Sequence, residues 1–217
     1  MLPIFTIIPS ILTAITKAAT VIGPTIAKYA PILLDAVGKY LPKVMKSVET
    51  LCTVLDIISP NEKAEDLGAK AMASDKKPED FDRFNDYIDY LQQAVKVDKS
   101  TLSDKPEYVA ARQAIGTSVL IKGASETLGT ELTLPFLKTV SQLELNATVI
   151  IEVVKAYSQS GLKLDDYEKY LSKTLPIIQL DKHSDALVNA YQKSDTSLSL
   201  EQAEEAVMNL SLAKNAL

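Results

Sequence analysis

The chain has 217 residues, 23 Lys and Arg against 28 Asp and Glu, a formal net charge of -5, one cysteine and one histidine. That length holds one sizeable helical core, or a helical body with an extended arm. The acidic balance argues against nucleic acid as the main partner, which needs a dense basic surface. A single cysteine excludes an intrachain disulfide framework, and one Cys with one His cannot supply a zinc site without many carboxylates.

Charge is unevenly placed. Up to Ile58 stand Lys17, Lys28, Asp35, Lys39, Lys43, Lys46, Glu49 and Asp56. These are five of the 23 positive and three of the 28 negative side chains, so the rest of the chain carries 18 and 25. A mildly basic, hydrophobic front is joined to an acidic body. In the front, Ile4, Ile8, Ile11, Ile15, Ala18 and Ile22 recur at three- and four-residue steps, the period of one helix face. Pro3, Pro9, Pro24, Pro31 and Pro42 predict several short helices up to Gly38 and a kink near Pro42. A continuous helix to Ile58 is then expected, stopped by Ser59-Pro60-Asn61. Leu34, Val37, Leu41, Val44, Val48, Leu51, Leu55 and Ile58 form a heptad seam that needs a partner surface, since ordering the backbone offsets most of what eight buried aliphatics contribute.

Met1-Leu-Pro-Ile-Phe has no basic n-region, so a secretory signal peptide is not expected. From Pro9 to Ile22, just before Gly23-Pro24, there are 14 residues. Such a helix reaches about 21 Å against a hydrocarbon core of about 30 Å, which argues against a constitutive single-pass anchor. Localisation stays open, with export by a signal-independent route and membrane association as one expectation.

A short polar helix is predicted over 62–73 and a linker over 74–78. We place a boundary near 76, giving a hydrophobic N-terminal helical region (1–76) and an acidic helical body (77–217). Pro78 should open the next helix, with Glu79 and Asp80 against its dipole. Its stripe is Phe81, Phe84, Ile88, Leu91 and Val95, and Asp82, Asp86 and Asp89 read as a solvated face. A helix over 106–128 carries a seam of mostly small residues, Ala110, Ala114, Thr117, Ile121, Ala124 and Leu128. Gly116 and Gly123 on it imply close approach by a neighbour, as an interior contact or as an association surface in a membrane. Thr133 should cap a helix bearing Phe136, Val140, Leu143, Ala147, Ile150, Val154 and Tyr157, ended by Ser160-Gly161. Further helices are expected to end near Leu175 and to span 181–194. Leu-x-Leu-acid-x-x-Glu at Leu162 and again at Leu198 reads as two helix starts, the second with the Ser199/Gln202 capping-box spacing.

Little in the chain points to catalysis. His183 has no nucleophile context, the glycines form no phosphate cradle, and Asp165-Asp166 sits where a helix start wants acids. The acceptor-like triplets at Asn146 and Asn209 fall inside predicted helices. No catalytic residue, metal or cofactor is assigned, and an enzyme is not expected.

The expectation is an all-α, multi-helix bundle with a hydrophobic N-terminal helical region and a kinked long helix. Two functions fit it. One is a membrane-active, pore-forming or membrane-inserting protein, which in general character resembles α-helical pore-forming toxins and effectors as a class. Ile4, Ile8, Ile11, Ile15 and Ile22 would contact lipid or a partner, Lys17 and Lys28 would lie at headgroups, and a homo-oligomer is expected when active. The other is a structural or assembly subunit whose seams are completed by other chains.

Overall fold

The structure is a computed structural model that describes residues 4–215, the side chains of 4–8, 37 and 215 excepted. The described residues form ten α-helices and no strand. They are α1 (Ile4–Val37), α2 (Leu41–Val54), α3 (Ala64–Ala73), α4 (Phe84–Gln93), α5 (Pro106–Leu128), α6 (Leu134–Gln142), α7 (Ala147–Gln159), α8 (Asp166–Leu171), α9 (Ile177–Ser194) and α10 (Leu200–Asn215). The chain divides into two compact units, Met1–Thr127 and Leu128–Leu217. The position near 76 falls inside the first.

In the first unit α5 is the centre, buried along Ala111, Ala114, Ile115, Val119, Leu120 and Ala124. Its small residues let other backbones reach it. A methyl group on Gly116 would overlap the Ala64 carbonyl, and one on Gly68 would overlap the Arg112 carbonyl, so α3 and α5 cross through a reciprocal pair of glycines. Gly123 admits the Ile88 and Asn85 side chains of α4. Of the two settings that suit such a seam, the fold uses the interior contact. Arg112, 5% exposed, seals the crossing: Nε and Nη2 donate to Glu65 Oε1 at 3.2 and 2.8 Å, and Nη1 donates to the Ser103 carbonyl at 2.9 Å. α2 lies against α5 through Cys52, whose Sγ donates to the Leu120 carbonyl at 3.4 Å.

The second unit is built on the α7–α9 pair, with α10 against α9. Phe136, Tyr167 and Tyr157 meet edge to face, Tyr157 meets His183 the same way, and Tyr170 stacks on the His183 ring. The Ser199 side chain accepts from Gln202 N at 3.2 Å, and Gln202 Oε1 accepts from Ser199 N at 2.9 Å, forming the expected capping box.

Several helix ends differ from the sequence expectation. α1 runs through Pro9 and Pro31 as one element, broken only at Gly23. α2 stops at Val54, not Ile58, because Asp56 takes φ 56° and Ile57 N reaches back to the Cys52 carbonyl. The same closure, a left-handed residue followed by an amide that bonds five residues back, occurs at Glu144, Gly161 and Lys173. At Glu144 it cuts the expected Phe136 to Tyr157 helix into α6 and α7, and Asn146 becomes the N-cap of α7, accepting from Val149 N at 2.9 Å. Asn146 is thus exposed at a helix start, not inside a helix. Pro78 opens only a 3-10 turn; α4 begins at Phe84, where the Glu126 carboxylate accepts from Phe84 N and Asn85 N at 2.7 and 2.8 Å. Phe81 therefore lies outside α4. α9 starts at Ile177, four residues before its expected start, and α8 ends at Leu171.

Candidate functional site at the N-terminal helix

α1 is the most apolar long element of the chain, and its character is set by one residue. Gly23 takes φ 76°, ψ 159°, a region essentially closed to side chains. The element is therefore two arms, 4–22 and 24–37, joined at a corner. Pro24 stands at the first turn of the second arm, where its missing donor costs nothing. The free amide of Thr25 is taken by Glu79: Oε1 accepts from Thr25 N at 3.0 Å and from Thr25 Oγ1 at 2.5 Å. A methyl group on Gly23 would overlap Glu79 Oε2. One carboxylate from the α3–α4 connection thus caps the second arm and fills the inside of the corner. The sequence placed Glu79 at the start of its own helix; the structure gives it to another.

The predicted contact residues lie as follows. Ile11, Ile15 and Ile22 are buried in the protein's own core, with Ala14, Ala18, Ile26, Ala30, Leu33 and Leu34 completing the inner stripe. Lys17 and Lys28 are exposed. In the second seam Leu41, Val44, Val48, Leu51 and Ile58 are buried and Leu55 is half-buried. The side chains of Ile4, Ile8 and Val37 lie outside the described residues. The outer side of α1 carries half-buried Leu12, Ala19 and Val21, exposed Thr16 and Thr20, and Ile32 at 56% exposure. Thr13 and Thr16 donate their hydroxyls to the Pro9 and Leu12 carbonyls at 2.9 and 2.8 Å, so neither needs an outside partner.

The groups that could do chemistry are engaged elsewhere. Burial, helped by the Glu49 charge, pushes the Cys52 thiol well above its ordinary value. His183 is 2% exposed, with Nδ1 3.0 Å from Tyr157 Oη, and burial lowers its pKa against an opposing pull from Asp166. Asp86 pairs with Arg83, and Asp166 pairs with Lys169. Among the described residues no group of three or more His, Cys, Asp or Glu could hold a metal ion. Comparison with protein-family models, curated proteins and solved structures finds no match to the chain.

The Glu79 clamp and the Gly68/Gly116 crossing were not read from the sequence. The break itself was legible, since Gly23-Pro24 marked a helix boundary in the sequence.

Proposed function

We propose that the protein is a non-enzymatic, membrane-active helical protein whose N-terminal helix leaves the core and enters a bilayer, acting as an oligomer. The observation that carries this reading is the stretch Pro9–Ala36, the one helical stretch among the described residues long and apolar enough to cross a membrane by length and composition. Only 39% of its apolar window is buried in the protein. A helix kept solely as soluble core would be mostly covered. Its 28 residues reach about 42 Å when straight, against a hydrocarbon core of about 30 Å, while the part of the stretch before Gly23 reaches only about 21 Å. Insertion therefore requires opening the Gly23 corner and releasing Glu79. The Thr13 and Thr16 hydroxyls, bonded within the helix, can follow it into lipid.

Because Ile11 and Ile15 are core in the closed form, a charge there would unfold the protein under any reading. Thr20 is exposed and lies near the middle of the stretch. Asp at Thr20 leaves the closed fold intact but costs about 2.5 to 3.5 kcal/mol at a bilayer centre, roughly a hundredfold in insertion. The expected result is dye release from liposomes by the wild type and almost none by a folded Thr20→Asp protein. Equal release by both, or none by the wild type, rejects the reading.

The assembly-subunit reading draws on α10. Leu200, Met208 and Leu212 are exposed on a helix that also shows Glu201, Glu204 and Glu205 to solvent, a surface suited to another protein. A defined oligomer without lipid, measured as mass in solution, would favour it.

A further inference from the structure

The most exposed large hydrophobic residues described are not in the N-terminal helix. Ile177 and Ile178 are 83% and 84% exposed. They form the first turn of α9, at the tip of the bend from α8, and the tip continues the theme: Pro176 is exposed, and Leu175 and Leu180 are half-buried. Lys173, in the left-handed conformation at the end of α8, and Lys182, one turn below Ile178, flank it, both exposed. Over 169–182 the charges are Lys169, Lys173 and Lys182 against Asp181, in a chain whose overall charge is -5. Lys169 is bonded to Asp166, and Asp185 lies beyond Lys182. No acid stands in the first turn of α9.

The other apolar surface of this unit provides the contrast. Leu200, Met208 and Leu212 on α10 stand among Glu201, Glu204 and Glu205, which an anionic bilayer repels. At the α8–α9 tip lysines outnumber acids, the acid within 169–182 being Asp181, one turn below Ile177. Two unshielded isoleucines between lysines match a surface that is apolar inside and negative at its rim, the profile of a membrane with acidic headgroups.

We infer that the α8–α9 tip is a second, peripheral membrane-contact site, selective for anionic lipid, in which Ile177 and Ile178 enter the headgroup layer and Lys173 and Lys182 pair with lipid phosphate and carboxylate groups. It rests on the membrane reading above only for its partner, since the surface belongs to a different unit from α1. Its role is docking, which brings the chain to the bilayer before any insertion.

The test separates binding from permeabilisation by flotation and dye release with the full chain, on phosphatidylcholine vesicles with and without phosphatidylserine. Wild type should float with the anionic vesicles. Ile177→Ser with Ile178→Ser, both on exposed positions that leave the helix spectrum unchanged, should lower that binding at least about tenfold. Lys173→Gln with Lys182→Gln should remove the preference for the anionic vesicles. Wild-type protein that does not float, or a double-serine variant that floats like wild type, overturns the inference. So does a wild-type dimer that the serine substitutions disperse without any lipid binding. Thr20→Asp protein should float yet not release dye; if it releases dye normally, the N-terminal insertion reading fails and the tip stands.

Discussion

α1 and α5 are both long and rich in small and aliphatic residues, yet they are held in different ways. α5 is covered on most sides, and its neighbours touch its backbone: carbonyls of Ala64 and Arg112 occupy the space that side chains on Gly116 and Gly68 would need. α1 is covered along one stripe, turns a corner at Gly23 where the Glu79 carboxylate ties it, and meets α5 through Lys122, whose Nζ lies 4.5 Å from the centroid of the Tyr29 ring. Close backbone packing commits a helix to one arrangement, because any added atom forces the pair apart. A stripe held by side chains, with a side-chain clamp at its corner, can be released as a piece. Two apolar helices in one unit thus have different freedom, and composition alone does not distinguish them.

The sharpest way to break the comparison is at the crossing. Gly116→Val should abolish cooperative unfolding of the first unit, and Gly116→Ala should cost upwards of about 3 kcal/mol, beyond the usual range for overpacking because backbone cannot move aside as a side chain can. Chemical denaturation followed by circular dichroism measures both; a Gly116→Ala protein as stable as wild type would contradict the crossing. Glu79→Ala should act locally and cost about 0.5 to 2 kcal/mol, the worth of a helix cap. Amides of 24–37 should exchange faster while those of α5 keep their protection, and a uniform acceleration would show that the two helices open together.

Acid offers a control that leaves both helices aside. His183 in the second unit has its pKa lowered by burial, so the folded form resists a proton that the unfolded chain accepts near pH 6.5. Its contribution is whole above that pH and is lost as pH falls toward the folded value. The second unit should lose stability below about pH 6.5, and His183→Phe should flatten that part of the pH profile in thermal melts. The smallest effect is expected at helix ends: Glu144→Gly or Lys173→Gly should stabilise by up to about 1 kcal/mol by relieving a left-handed backbone, a shift readable in urea midpoints.

Those ends also explain what the sequence made legible. The helical period identified the all-α bundle and located α5 almost to the residue, since its Pro106 start is local and its seam is continuous. It did not locate the ends at Val54, Gln142 and Leu171, because Asp56, Glu144 and Lys173 play the part that glycine plays at Gly129 and Gly161. The seam from Phe136 to Tyr157 kept its rhythm across the break since Phe136, Val140, Ala147, Ile150, Val154 and Tyr157 are all buried despite belonging to two helices. Periodicity reports which residues are covered, not whether the chain between them is one rod. Partner choice was the other hidden quantity. Glu79, Glu126 and Glu65 act 54, 42 and 47 residues away in sequence, distances over which no local pattern reaches.

Cys52 adds a practical consequence of the way α2 meets α5. Its thiol is fully buried, donates to the Leu120 carbonyl, and is held protonated by its surroundings. Thiolate is the reactive form, so alkylating reagents are excluded twice over while the two helices stay together. The chain therefore carries its own stopwatch: with enough maleimide that alkylation outpaces reclosing, the rate at which this single sulfur is marked is the rate at which α2 parts from α5.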